Sequence, residues 1–539
     1  MPSGGGNFAP RRAAGAGEVG YPALPISASH TIRAADAAAT TGTGTSAADA
    51  ATRRIVSGPL GREIARFGTP LALGMALQTT FNLVDAYLVA QLPHDEVGPA
   101  LGALGICDQI AAIGTIVTYG ISTATSALLS RAQGAGDTSG VRRIAWQSLL
   151  VVGALSVGFG VLGIGFAGPI VRDVVGAKGE VALVATGYLR VIVGGGATIF
   201  FLLQLTTMQR ALGSAKTPAA LLVAGNVLNL VLAVLFIFGP GPAPAALGWA
   251  TAVARAVGIP RMGMVGAAWA TIVARSLVLV PVAWILGRRF RVLGPPPGGA
   301  APDGVIVKRI VGLAWPSSAQ FVARIAAMLL VNSLVARFFT TASDQTATTA
   351  MGLVFRLDTM ALFVAMGWGS AAQTFVGQNL GADHPRRATR AGWITAAYDA
   401  VTSALLVAGA VWAGEAILRV FDADDAPVAI ALEYLRAVAP SWIALGVGVV
   451  LGNAMAGAGA TRTTMSIDLA VILGLQFPAC IVAVAFLGAP RVVLFQLVAA
   501  TNVASAIAYA AVYARARWRT AEAQRPREVE RPPARQDRR

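Results

Sequence analysis

The sequence predicts an all-α membrane protein whose twelve transmembrane helices form two six-helix bundles. Hydrophobic residues make up 55% of the 539 positions and charged residues 13%, whereas a soluble globular chain carries about 25% charged residues. Twelve apolar segments are each long enough to cross about 30 Å of hydrocarbon at about 1.5 Å per residue. The second half of the chain also repeats the first. These three observations together lead to the fold class.

Composition excludes several functions. The net charge of +16 is explained by basic residues that gather in short loops between apolar segments, so we expect the lipid bilayer, and no nucleic acid, as a partner. The three histidines lie outside the apolar segments and the two cysteines lie inside them. No metal-ligand cluster, nucleophilic triad or phosphate-binding loop is apparent. We therefore expect no enzyme, no metal and no cofactor.

The chain divides into five regions. Residues 1–57 are rich in Ala, Gly, Ser and Thr, which predicts a disordered N-terminal tail and not a signal peptide. Residues 62–290 form the predicted N-terminal bundle, and residues 308–518 form the C-terminal bundle. A Pro/Gly linker at residues 291–307 joins them, and residues 519–539 form a charged tail.

The apolar segments are numbered as spans 1 to 12 in chain order. Their predicted bounds are 64–92, 98–131, 141–169, 181–212, 217–239, 263–287, 308–338, 346–379, 389–414, 427–457, 463–487 and 492–514.

Basic residues orient the spans. The even-numbered loops hold fourteen Lys and Arg residues and the odd-numbered loops hold seven, and both tails are rich in Arg. Because basic residues accumulate on the cytoplasmic side, we predict that both tails, the linker and the even-numbered loops are cytoplasmic. We expect a multi-pass monomer in the plasma membrane of a bacterial cell.

The two halves have similar sequences in register. Residues 120–143 align with residues 367–390 at an offset of 247, and five of the 24 positions are identical. The offset is nearly constant over a long stretch, because Pro70 and Pro316 differ by 246. Since six spans is an even number, both halves enter the membrane in the same orientation. We therefore predict a pseudo-two-fold axis along the membrane normal, with a cleft between the bundles.

The stretches "TPLALGMALQTTFNLVDAYLVAQL", "GISTATSALLSRAQGAGD", "GWGSAAQTFVGQNLGA", "RALGSAKTP" and "AGAGATRTTM" resemble signatures of the multidrug and toxic compound extrusion (MATE) transporters. The resemblance covers residues 62–515. It is closest to the DinF-like branch, because Arg324 stands where a second branch carries a glutamate. It implies a cation-coupled antiporter that exports amphiphilic, often cationic, organic molecules by alternating access.

Two features depart from that family. Helix five of this branch often carries Asn-x-x-x-Asp, and here Asn229 matches the asparagine while Ala233 occupies the aspartate position. Sodium coordination is therefore in doubt, and we expect H⁺ rather than Na⁺ as the coupling ion. The second departure is a long connection at residues 239–261, which is either a short amphipathic helix at the outer face or a plain loop.

Span 1 carries a polar stripe. Gln78, Asn82 and Asp85 are spaced i, i+4 and i+7, so they share one helix face. A lipid-facing carboxylate costs roughly 2.5–3.5 kcal/mol, so this face is expected to look toward protein or water.

Other polar residues lie at a similar depth. Asp85 lies about 10 Å, Thr271 about 12 Å, and Asn229 and Asp108 about 15 Å from the outer ends of their spans. Asn226 shares a face of span 5 with Asn229. The resemblance implies an N-terminal polar site around Asp85, Asn229 and Thr271. Asp108 either compensates for the missing helix-five acid or forms part of the cavity wall.

We predict that Asp85 is the coupling carboxylate and binds a proton from outside. Pro70 leaves one carbonyl of span 1 without its usual partner and is the predicted hinge. In the C-terminal bundle, we expect Arg324 to pair with Asp358. The alternative function is a lipid-linked substrate flippase of the same superfold. Such flippases tend to line the cavity with several basic residues, which the N-terminal bundle lacks.

Overall fold

The computed structural model describes residues 47–520, apart from residues 297–298, 342 and 422–423. Within helices, the side chains of residues 79–86, 94–95, 420–421 and 520 are not described. The described part is helical and contains no strand. Eleven helical segments in it are long and apolar enough to cross a membrane. The helix Leu60–Ala90, with 31 residues, supplies the twelfth span at about 46 Å in length, so the predicted fold class is confirmed.

The helices follow the predicted spans closely. Spans 1 to 6 are Leu60–Ala90, His94–Gly134, Thr138–Pro169 with a π-turn Ile170–Val174, Gly179–Gly194 with Ala197–Ala211, Lys216–Phe238, and Gly263–Arg288. Spans 7 to 12 are Gly304–Phe338, Thr346–Gly381, Pro385–Phe421, Asp425–Val438 with Trp442–Gly457, Thr461–Val471 with Phe477–Ile481 and two π-turns (Ile472–Gln476 and Val482–Phe486), and Arg491–Ala514.

The internal repeat is visible in reciprocal contacts between spans 2 and 8. Gly134 packs so tightly against the carbonyl of Gln378 that a Cβ would not fit, and Gly381 packs in the same way against the carbonyl of Arg131. Residues 131 and 378 differ by 247, as do residues 134 and 381. Such exchange of equivalent partners is the signature of a two-fold axis.

A second reciprocal contact joins spans 2 and 7 in one case and spans 8 and 1 in the other. Gly120 packs against Ser318, and Gly367 packs against Ala72. Residues 120 and 367 differ by 247, and residues 72 and 318 differ by 246. The halves are therefore related by the predicted pseudo-two-fold axis.

The halves are closed at one end and open at the other. All residues from 121 to 130 in span 2 and from 371 to 380 in span 8 are buried. Nearer the opposite end, spans 2 and 8 each expose one face at equivalent positions: 101, 102, 105, 108 and 109 in span 2, and 348, 349, 352, 355 and 356 in span 8. We call the closed end the basic end, because it carries the Arg-rich even-numbered loops.

Polar contacts hold the basic end together. Gln373 Nε2 donates to the Thr123 carbonyl at 3.0 Å, and Gln378 Nε2 donates to the Ala211 carbonyl at 2.8 Å. Both bonds cross from the C-terminal half to the N-terminal half. Because the interface is rich in amide and hydroxyl groups, it can be wetted when the halves separate.

The N-terminal tail differs from the prediction. Ala47–Ser57 is a helix, which we call the strap, and it packs across the basic end. Gln133 of the N-terminal half donates to Thr52 Oγ1 at 3.1 Å, while Arg387 of the C-terminal half donates to the carbonyls of Ile55 and Gly58. Assignment of residues 47–57 to a disordered tail was therefore wrong, and residues 1–46 lie outside the described residues.

The two other connections are also structured. The linker is tied to span 3, because Trp146 Nε1 and Gln147 Nε2 each donate at 2.9 Å to the carbonyls of Ala300 and Ala301. The connection at 239–261 contains the helix Gly248–Val257. The helical alternative for this segment was therefore the right one.

Candidate functional site

The polar stripe of span 1 is partly described. The side chains of Asn82 and Asp85 lie outside the described residues, and Gln78 is half-buried. The backbone of span 1 packs beside span 5, where a Cβ on Gly74 would lie 3.6 Å from Ala219 Cβ. Spans 1 and 5 are both odd-numbered and run parallel, so positions that follow Gly74 and Ala219 by the same number of residues are level. Helix positions 82 and 85 are therefore level with residues 227 and 230. The span 1 stripe therefore sits at the height of the span 5 asparagines.

Span 5 presents its asparagines between spans 1 and 6. Asn226 and Asn229 are half-buried, and Asn226 Nδ2 has no hydrogen-bond partner among the described residues. Asn226 lies seven residues after Ala219, on the face toward span 1. At the missing acid position, Ala233 is 1% exposed and packs in an apolar cluster.

Span 6 packs beside the asparagines of span 5. A Cβ on Gly225 would lie 3.1 Å from Val278 of span 6. Thr271 precedes Val278 by seven residues, so it lies on the same face, toward span 5. Thr271 is half-buried. The structure thus places the described members of the predicted N-terminal site on neighbouring faces of spans 1, 5 and 6.

Asp108 faces the cleft. It is exposed and lies on the same face of span 2 as Thr115 and Tyr119, which follow it by seven and eleven residues. Tyr119 packs against Phe321 of the other half, with ring centroids 5.1 Å apart. This position fits a residue of the cavity wall.

A large cavity lies inside the C-terminal half, and the sequence analysis did not predict it. Spans 7, 8, 10, 11 and 12 enclose about 970 Å³ of space, counted to its open mouth. A smaller cavity of about 480 Å³ lies at the base of the cleft and shares Arg324 and Leu362 with the large one. The apolar side chains that line the large cavity include Met328, Val331, Met351, Phe355, Trp442 and Ile472.

Three charged residues stand in the wall of the large cavity: Asp468 is buried, and Arg324 and Asp358 are half-buried. Arg324 binds Asp468 through two bonds, Nε to Oδ2 at 2.9 Å and Nη2 to Oδ1 at 3.2 Å. Asp358 instead accepts from Trp442 Nε1 at 2.8 Å and from the Tyr434 hydroxyl. With both carboxyls ionised, this wall carries one formal negative charge.

The predicted pairing of Arg324 with Asp358 is therefore wrong. It was based on equal depth in the membrane, which does not reveal the direction in which a side chain points. Span 11 packs along span 7 at this level and brings Asp468 to Arg324.

The repeat connects this cavity to the predicted N-terminal site. Adding 246 to positions 78, 82, 85 and 226, and 247 to position 108, leads to residues that all line the large cavity. These residues are Arg324, Met328, Val331, Ile472 and Phe355. Five of the seven predicted polar positions are therefore the repeat equivalents of cavity-lining positions, whereas those of Asn229 and Thr271 lie outside the cavity lining. The same offset could have located the C-terminal cavity from the sequence.

The sequence of this chain matches the model of a known protein family. The profile of the MatE family matches residues 70–235 and again residues 316–482. The two matches begin 246 residues apart, the offset of the internal repeat.

Relatives and structures agree with that match. YpnP of Bacillus subtilis (strain 168), named "Probable multidrug resistance protein YpnP", is 25% identical over 79% of this chain and 89% of its own length. An FAD transporter of Shewanella oneidensis is 24% identical over 79% of this chain and 88% of its own length. A solved structure described as an outward-facing multidrug resistance MATE family transporter has a TM-score of 0.76 at 21% identity, covering 88% of this chain and 99% of the other.

Proposed function

Because the chain belongs to the MatE family, we propose that it is a proton-coupled antiporter that exports amphiphilic, often cationic, organic compounds from the cytoplasm. The chain is a multi-pass membrane transporter of the multidrug efflux class and not an enzyme. The proposal includes three further points: the chain belongs to the DinF-like branch, both tails lie on the cytoplasmic side, and the coupling ion is H⁺.

The closed basic end and the open opposite end carry the proposal. Spans 2 and 8 meet in reciprocal contacts at the basic end and expose equivalent faces at the other. This arrangement is one end state of alternating access. Because the tails are proposed to lie in the cytoplasm, the open end of the cleft faces the outside. Rocking the halves about the crossing of spans 2 and 8 would open the polar basic end to the cytoplasm.

The C-terminal cavity supports organic cations as substrates. Phe355 and Trp442 supply aromatic faces, and Met328 and Met351 supply adaptable apolar surface. The formal negative charge left by Asp358, Asp468 and Arg324 favours a cation over an anion. Within the described lining of the two cavities, Arg324 is the one basic residue, and Asp468 already holds it. This disfavours the flippase alternative, in which basic side chains would meet a pyrophosphate.

For coupling, we retain Asp85 as the proton carrier, with Gln78, Asn82, Asn226, Asn229 and Thr271 as the surrounding polar groups. Ala233 contributes no carboxylate oxygen and is packed in an apolar cluster, which favours H⁺ over Na⁺. Pro70 lies inside the continuous helix Leu60–Ala90 and removes one backbone bond there, so span 1 can bend at this point.

Reconstituted vesicles test this function. A pH gradient or a sodium gradient is imposed separately while the movement of ethidium is followed, with FAD as an anionic comparison solute. We expect ethidium movement driven by the pH gradient, no FAD movement, and loss of gradient-driven transport in Asp85→Asn. Asp173→Asn, an exposed acid of the same half, is the matched control. Full antiport in Asp85→Asn, or transport that responds to sodium alone, would overturn the proposal.

A further inference from the structure

Asp399 is a buried acid that the proposed mechanism does not use. It lies in span 9, fourteen residues after Pro385, or about 21 Å along the helix, and its exposed fraction is 0%. Neither carboxyl oxygen has a hydrogen-bond partner within the described part of the chain. Asp358 and Asp468 provide an internal contrast, because each accepts hydrogen bonds from at least two donors.

The surroundings offer this carboxyl no donor. Gly446 of span 10 packs directly on it, leaving no room for a Cβ. Ser403 follows Asp399 by one helical turn, and its buried hydroxyl also lacks a partner among the described residues. Thr402 directs its hydroxyl to the main-chain carbonyl of Asp399 at 2.9 Å, and not to the carboxyl group.

Charged and titratable side chains on the packed helices are engaged elsewhere or lie near the ends. Tyr398 on span 9 itself contacts the Gly61 carbonyl. None of the described side chains forms an ion pair or hydrogen bond with the Asp399 carboxyl, and Asp85 of span 1 lies outside the described side chains. The others described on spans 8, 9, 10 and 1 are Arg356, Asp358, Arg386, Arg387, Arg390, Glu415, Arg419, Asp425, Glu433, Tyr434, Arg436, Arg62, Glu63, Arg66 and Tyr87.

Burial without donors favours the neutral acid. An ionised carboxylate in an apolar interior is strongly unfavourable unless donors or a cation compensate it. A protonated carboxyl carries no charge and needs no donor to compensate it. The geometry of this site therefore suits a carboxyl group that holds a proton in the state shown.

The side chains packed near Asp399 are linked to the contact between the halves. The Trp368 ring lies against Gly68 of span 1 in the other half. Its indole Nε1 donates to Thr402 Oγ1 at 3.0 Å, and the ring stacks on Tyr398 with centroids 5.6 Å apart. When the basic end opens, span 1 leaves Trp368, and the packing that excludes water from Asp399 loses its support.

We propose that Asp399 is a proton-linked switch in the C-terminal half. It holds a proton on its carboxyl group in the state shown and releases it to water as the carboxylate when the basic end opens. It takes up a proton from the same side as that end closes, so it adds no net proton transport to that of Asp85 and makes the opening of the basic end easier at high pH. This inference rests on the proposed proton-coupled function.

The pH dependence of opening at the basic end tests the inference. It is measured as the accessibility of a cysteine introduced by Ser130→Cys to a water-soluble thiol reagent at low and at high pH. Opening should increase as the pH rises, because the open state holds one proton fewer on Asp399. Asp399→Asn, which imitates the protonated acid, is expected to fold and to lose this part of the pH dependence, while Glu415→Gln, an exposed acid on the same helix, should keep it. An unchanged pH dependence in Asp399→Asn would overturn the inference.

Infrared difference spectroscopy provides a second readout that does not depend on transport. The wild-type protein should show a carboxylic acid band that disappears at high pH when the basic end is opened, and Asp399→Asn should lack it. If the wild-type protein ignores a pH gradient, the proposed function fails, and this band alone decides whether Asp399 is protonated. Absence of the band would overturn the inference in that case also. If Asp399→Asn does not fold, the band of the wild-type protein is the deciding measurement.

Discussion

At the residue scale, the ion pair of Arg324 and Asp468 combines two charges that would each be costly inside the protein without the other. The side chain of Asp468 is 2% exposed and that of Arg324 is 19% exposed. Tyr509 also donates to Asp468 at 2.9 Å, so the carboxylate accepts three bonds. The pair is therefore expected to hold spans 7, 11 and 12 in register around the cavity.

We predict that Asp468→Asn destabilises the protein by about 3–5 kcal/mol, because it leaves the mostly enclosed Arg324 without its counter-charge. The measurement is the free energy of unfolding in detergent. The double variant Arg324→Gln with Asp468→Asn should recover most of the loss. A single variant as stable as the wild-type protein would show that the guanidinium does not depend on this partner.

Asp358 is predicted to select the charge of the substrate. Removing its charge with Asp358→Asn should weaken the binding of an organic cation by about tenfold, or roughly 1.4 kcal/mol. A neutral compound of the same size should bind as before. Binding is measured by fluorescence on purified protein, and equal losses for both compounds would contradict a role in charge selection.

At the element scale, the strap holds both halves. Ala48 belongs to an apolar cluster of the N-terminal half with Leu129 and Met208. Ile55 belongs to another that contains Val376 and Leu380 of span 8. Because one short helix contacts both halves, it must leave at least one of them when the basic end opens.

We therefore predict that Ile55→Asp loosens the basic end. Ile55 is 3% exposed, and a charge there is incompatible with the apolar cluster. Hydrogen exchange of residues 121–130 and 371–380 should become faster. Arg53→Ala, at an exposed position of the same helix, should have little effect, and equal protection in both variants would contradict the role of the strap.

The helical elements show what could be predicted from sequence. Long apolar runs set the span bounds to within a few residues, because lipid demands that length. The strap was missed because a short amphipathic helix lacks such a run and resembles a polar tail. Depth along a helix put positions 85 and 229 in one layer, and the contact of Gly74 with Ala219 makes position 85 level with residue 230. Depth could not show that Arg324 turns toward Asp468. That choice depends on which helix is the neighbour.

At the scale of the whole molecule, the repeat sets the contacts between the halves. Gly134 and Gly381 occupy equivalent places in one reciprocal contact. Gly134→Leu and Gly381→Leu should each force the basic end apart and shift the protein toward the inward-open state to a similar extent. Gly105→Leu, where a Cβ meets nothing within 4 Å, is the control. Accessibility of the basic end to a water-soluble thiol reagent, at a cysteine introduced by Ser130→Cys, reports the shift. A shift in one glycine variant without the other would contradict the symmetry.

The central claim is that the halves rock so that one end opens as the other closes. The most direct measurement is the distance between spin labels at both ends in lipid nanodiscs, with Ser139→Cys and Arg386→Cys at the basic end and Leu101→Cys and Thr348→Cys at the other. Each pair differs by 247 positions and is exposed, while the native Cys107 and Cys480 are buried. Changing the pH or adding substrate should lengthen one distance and shorten the other. Distances that change in the same direction, or do not change during active transport, would contradict the claim.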